Sequence, residues 1–86
     1  MQGPKRSPSQ QALLKAFGAA MRLRRKEVEM TQEQVAEHAD LHTNYVSSVE
    51  RGERNVSLHN IAQIAAALRV KPSELVAAVD HLSPGD

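Results

Sequence analysis

The stretch that most restricts what this chain can become is Thr31 to Gly52, TQEQVAEHADLHTNYVSSVERG. It reads as two short helices joined by a tight corner at Asp40 and Leu41. Thr31 and Gln34 have capping-box spacing, which starts the first of these helices and aims its free amide groups outward. Val35, Ala36 and Ala39 line one side of it and Glu33, Glu37 and His38 the other, a narrow stripe of small residues that lets a neighbour approach closely. The second helix runs from about Thr43 to Arg51, and Gly52 is placed to end it with a left-handed residue. At about 100° per residue, Thr43, Asn44, Ser47, Ser48 and Arg51 share an arc of roughly 140°, with Tyr45, Val46 and Val49 opposite. The helix therefore has a dry back and a wet front. Its front offers hydroxyls, an amide and a guanidinium, which can hydrogen-bond base edges and phosphates in a groove about 12 Å wide. An ordinary surface helix would show Glu and Lys there.

The remaining residues read as a scaffold for that pair. Ser7 or Ser9 caps a helix over about 9–27, on which Leu13, Leu14, Phe17, Ala20 and Met21 share a face. Arg24 falls in the middle of this stripe while Leu23 drifts to its side; the Arg24 stem can pack while its head reaches water. Residues 53–56 form a short exposed connection. Ser57 then caps a helix with Leu58, Ile61, Ile64, Ala65 and Leu68 at helical spacing, the most regular core stripe in the chain. Pro72 opens a fifth helix, where its missing N–H costs nothing; this helix reaches Asp80 or His81 and carries Leu75, Val76, Val79 and Leu82 on one side. No stretch alternates as a strand would, so the expected fold is all-α. Residues 1–8 and 83–86, which carry Pro and Gly without periodicity, are expected to be flexible tails around one domain of residues 9–82.

Composition narrows the function classes. Eighty-six residues suffice for one small domain. Without cysteine there is no disulfide framework, thiolate nucleophile or cysteine metal site. The longest apolar run, Ile64 to Leu68, is far short of the roughly 20 residues that span a bilayer, and Lys5 and Arg6 lead into polar residues instead of a signal-peptide core. The net charge is only +1, but it is segregated: residues 1–30 hold seven Lys and Arg against two Glu, a net of +5, and residues 31–86 hold four against eight, a net of −4. Arg22, Arg24, Arg25 and Lys26 form the densest basic group, immediately before the two-helix stretch. The four histidines, His38, His42, His59 and His81, show no metal-ligand cluster, and no glycine-rich phosphate loop is present. Neither a metal, a cofactor, a small-molecule ligand nor an enzymatic activity is expected.

The segment TQEQVAEHADLHTNYVSSVERGERNVSLHNIAQIAAALRVKPSEL, with FGAAMRLRR ahead of it, resembles the Cro/C1-type, phage-repressor-like family of bacterial helix-turn-helix regulators over about residues 13–79. The features that carry the likeness are Thr-Gln opening one helix, Ala36 within it, Glu-Arg-Gly closing the next, and the Ile-x-x-Ile-Ala-x-x-Leu stripe of residues 61–68. Tyr45 and ERGERNVSL are most similar to restriction-modification controller proteins. Two positions depart from the family's habit: Arg24 stands where a leucine is common, and Glu29 where a glycine commonly ends the first helix.

The resemblance implies a five-helix, lambda-repressor-like domain that regulates transcription in the cytoplasm, at the nucleoid, by binding a pseudo-palindromic double-stranded operator as a homodimer. Matched by position, Thr43, Asn44 and Ser48 would read bases, with His42 and Ser47 as secondary readers. An amide can meet adenine with two hydrogen bonds, which favours Asn44. Gln32, Arg51, Arg54 and Asn55 would contact phosphates. Arg25 and Glu50 would form an ion pair fixing the recognition helix. Leu75, Val76, Val79 and Leu82, the apolar surface left over, would supply the dimer interface, the alternative being that Leu75 and Val79 complete the monomer core. The same fold also serves antitoxins, whose protein-interaction role is the alternative reading.

Overall fold

A computed structural model describes residues 6–82, which form five α-helices and a 3-10 turn: α1 (Pro8–Glu27), α2 (Gln32–Ala39), α3 (Thr43–Glu50), α4 (Leu58–Ala67), α5 (Pro72–Val76) and the turn Ala77–Val79. There is no strand among the described residues. Of the tails expected at 1–8 and 83–86, residues 1–5 and 83–86 lie outside the described residues.

Helix starts follow from side-chain oxygens or nitrogens placed to accept the first free amides. Ser7, Thr31 and Ser57 accept from Gln10, Gln34 and Asn60 N–H, while Gln10 and Gln34 return the bond to the cap's own N–H. Pro8 stands at the first position of α1, where a missing donor is harmless.

The ends of α1 to α4 share one solution. Glu29, Asp40, Gly52 and Arg69 each adopt a left-handed backbone, with φ of 58°, 57°, 76° and 61°. In each case the next residue's N–H reaches back five residues: Met30 to Arg25 O, Leu41 to Ala36 O, Glu53 to Ser48 O and Val70 to Ala65 O, at 2.9–3.1 Å. This is the Schellman arrangement, which satisfies two orphan carbonyls per helix. Glu29 thus makes the turn that glycine makes in the family pattern.

The core gathers Phe17 and Met21 of α1, Val35, Ala36 and Ala39 of α2, Val46 and Val49 of α3, Ile64, Ala65, Ala67 and Leu68 around α4, and Leu75 of α5. Two expectations need correction here. Leu58 opens the α4 stripe yet is 79% exposed. Leu75, expected at the dimer surface, is only 3% exposed and belongs to the monomer core. The fifth helix is also shorter than its periodicity implies, since α5 tightens to the 3-10 turn after Val76.

Arg24 resolves its awkward place in the α1 stripe by capping a distant helix. Its Nε donates to Leu68 O at 3.0 Å and Nη2 to Arg69 O at 3.2 Å, so a cation sits at the carbonyl end of α4, where the helix dipole favours it. Gln63 does the same for α2, donating to Ala39 O at 3.1 Å. Among the described residues, no buried side-chain nitrogen or oxygen lacks a partner.

Candidate nucleic-acid interface

The site is the outward front of α3, and its position is set from behind by three contacts. Gly18 lets the α1 backbone meet the end of α3: a Cβ there would fall 2.4 Å from Val49 O and 2.6 Å from Glu50 O. Glu50 accepts two hydrogen bonds from Arg25, from Nε at 2.6 Å and Nη2 at 3.1 Å, and a third from Gln32 Nε2 at 3.0 Å. Arg25 also donates to Met30 O at 2.9 Å, which ties the α1–α2 corner into the same network. On the far side, the Asn60 amide of α4 donates to the Tyr45 hydroxyl at 3.0 Å. The Glu50 side chain is 3% exposed, so this is a buried, multiply bonded pair whose geometry fixes the rotation of α3 about its axis.

With that rotation set, Asn44 is exposed and Thr43 and Ser47 are half-buried on the front of the helix. His42, exposed, is the cap of α3: its Nδ1 accepts from Asn44 N–H at 3.1 Å, leaving the Nε2 edge to face outward or bond elsewhere.

Ser48 does not belong with these. It is 5% exposed, and its hydroxyl donates to Tyr45 O at 2.8 Å, one turn back along its own helix. At about 100° per residue it lies at the edge of the polar arc, roughly 60° from Tyr45. A small side chain at that edge is covered by the body of the domain, so Ser48 is removed from the base-reading set.

The residues expected at phosphates fall into different surroundings. Gln32 is half-buried at the first turn of α2, with its side chain committed to Glu50. Arg51 is exposed and joined both to the Ser47 hydroxyl and to the carboxylate of Glu53. Arg54 lies with its guanidinium carbon 6.0 Å from the centroid of the Tyr45 ring, a cation–π placement that keeps it beside the base of α3. Asn55 is exposed but borders another feature, an apolar groove lined by Leu13, Leu14, Phe17, Ile61 and Val79.

Two residues absent from the expected site are brought into it. Arg22, on the exposed side of α1, lines a pocket with Arg25, Gln32, Ser47, Glu50 and Arg51 where α1 meets α3. Glu53 reaches that neighbourhood through Arg51. The density of basic residues over 22–26 was the available signal for Arg22, and no comparable signal marked Glu53.

Comparison with known proteins agrees with this architecture. A family model described as helix-turn-helix matches residues 21–75. Control protein C.BamHI of Bacillus amyloliquefaciens is 48% identical over 61 residues, which cover 70% of this chain and 75% of that protein. Control protein C.MunI of a Mycoplasma species is 41% identical over 65 residues, or 74% of this chain and 88% of that protein. The crystal structure of the restriction-modification controller protein C.AhdI from Aeromonas hydrophila superimposes with a TM-score of 0.73 at 45% sequence identity, covering 74% of this chain and 97% of that one. A helix pair braced in this way, a polar front on its second member and likeness at these levels together mean that the chain belongs to the Cro/C1-type helix-turn-helix family of DNA-binding transcription regulators.

Proposed function

We propose that this regulator inserts α3 into the major groove of a pseudo-palindromic operator as a homodimer, and that it acts as a restriction-modification controller. Asn44, Thr43, Ser47 and the outer edge of His42 read bases. Gln32, Arg51, Arg54 and Asn55 hold the flanking phosphates and set the register. The observation that carries the reading is the buried Arg25–Glu50–Gln32 network, which spends three side chains on holding a short polar helix in one outward orientation.

One helix of this length reads only a few base pairs, so useful specificity calls for two copies with half-sites about 34 Å apart, or a multiple of that. With Leu75 committed to the core, the dimer surface reduces to Val76, Val79 and Leu82 beside the apolar groove of α1 and α4. Regulation by binding DNA would place the protein in the cytoplasm, at the nucleoid.

Selection of bound sites from random duplexes tests this directly. The expected product is a palindromic consensus occupied by two chains in sedimentation. Recovery of no consensus, or of one half-site bound by a single chain, overturns the corresponding part of the reading. Methyltransferase and nuclease genes beside this one are expected for a controller; a small toxin gene there would point to the antitoxin role.

A further inference from the structure

Arg51 is the one arginine of the α3 front, and in the free protein three of its five N–H groups are already engaged. Nε and Nη2 donate in parallel to the two oxygens of Glu53, at 3.0 and 3.1 Å, while Nη1 donates to Ser47 Oγ. The paired Nε and Nη2 edge is the geometry with which a guanidinium grips a phosphate. Glu53 therefore occupies an edge that Arg51 could otherwise turn to a backbone phosphate.

Folding has little use for this contact. Both side chains are more than half exposed, and ion pairs in that setting contribute little to stability. The hydrogen bonds from Arg51, reinforced by the nearby charges of Arg54 and Arg6, hold the Glu53 carboxyl below the ordinary carboxylate range, so it is fully ionised at neutral pH.

Resting on the DNA-binding reading above, we propose that Glu53 is an internal competitor for the phosphate that Arg51 binds, so that engaging the DNA backbone exchanges one anion for another. The consequence is thermodynamic. When an unpaired arginine meets a phosphate, a condensed cation is released and binding weakens with salt, by about 0.9 in the logarithmic slope per contact. When Glu53 is displaced, its freed carboxylate attracts a cation in turn, and the net release at this contact is close to zero. Arg51 then holds the protein on DNA without adding to its salt dependence.

The test is titration of a random-sequence duplex at a series of salt concentrations, from about 50 to 200 mM, with the full chain and its variants. Glu53→Gln keeps the size of the side chain and removes the charge. It is expected to tighten binding at low salt and to steepen the slope by about 0.9, so that its advantage shrinks about threefold across that range. In the Arg51→Ala background the same Glu53→Gln change should leave the slope unaltered, because there is no guanidinium to release. An unaltered slope for Glu53→Gln in the native background overturns the proposal. So does equal steepening in both backgrounds, which would make Glu53 a plain repulsive charge. Failure of the unaltered chain to bind duplex DNA at all would instead overturn the DNA-binding reading itself, and the proposal with it.

Discussion

Gly18 of α1 lies against the carbonyl of Val49 so closely that the smallest possible side chain would overlap it, 2.4 Å from the oxygen. The neighbours are main-chain atoms of α3, which cannot swing aside as a flexible side chain can. Alanine is worth about 1 kcal/mol more than glycine inside a helix, but forcing α1 and α3 apart costs typically 1–3 kcal/mol. We expect Gly18→Ala to destabilise by up to about 2 kcal/mol in urea unfolding. A stabilised variant would show that α1 and α3 are not in contact here.

The buried pair Arg25–Glu50 gives a larger effect. Arg25→Met retains much of the stem but leaves the Glu50 carboxylate enclosed with only the Gln32 amide as partner. Removing one member of a buried pair costs about 3–5 kcal/mol, a large share of the stability of a domain this size. We expect the urea midpoint to fall accordingly and DNA affinity to fall with it, since α3 loses its brace. The double change Arg25→Met with Glu50→Leu should recover much of the stability, because the uncompensated charge is gone. Equal instability of the single and double variants would count against the pair as the cause.

How much of this could be read in advance depended on whether the partner was a side chain. The helix pair, its Thr31–Gln34 capping box and the Gly52 terminus are local patterns, and each stood in the sequence at fixed spacing. Arg24 could not be placed, because it bonds two backbone carbonyls more than forty residues away and carbonyls carry no residue signature. Ser48 and Leu58 misled for a related reason: angular position says which way a residue points but not where the neighbouring body ends. Leu75 and Val76 are adjacent, similarly apolar and differently used, and only tertiary packing separates core from surface there.

The left-handed residues offer a stabilising change. A non-glycine side chain at such a position costs roughly 1–2 kcal/mol, part of which is returned because glycine has more freedom to lose on folding. Glu29, at φ 58°, is exposed, its carboxylate makes no hydrogen bond among the described residues, and it lacks the short side chain with which Asp and Asn tolerate this region. We expect Glu29→Gly to stabilise by about 0.5–1 kcal/mol, visible as a rise of several degrees in Tm. A fall in Tm would show that residues 28–30 take another path in solution.

Asn44 separates reading from holding. It is exposed on the α3 front, and its backbone N–H is already satisfied by His42, so removal of the side-chain amide should leave the helix intact. On a site recovered by selection, Asn44→Ala is expected to lose roughly 1–3 kcal/mol of binding, with little change on a random duplex. Arg54→Ala is expected to weaken both to a similar degree and to flatten the salt dependence, since its guanidinium serves the backbone. The two variants are therefore compared on both duplexes by titration at several salt concentrations. Equal losses for Asn44→Ala on selected and random DNA would move that side chain from the base-reading set to the phosphate contacts, and the specificity of the domain would then have to come from Thr43, Ser47 and the outer edge of His42.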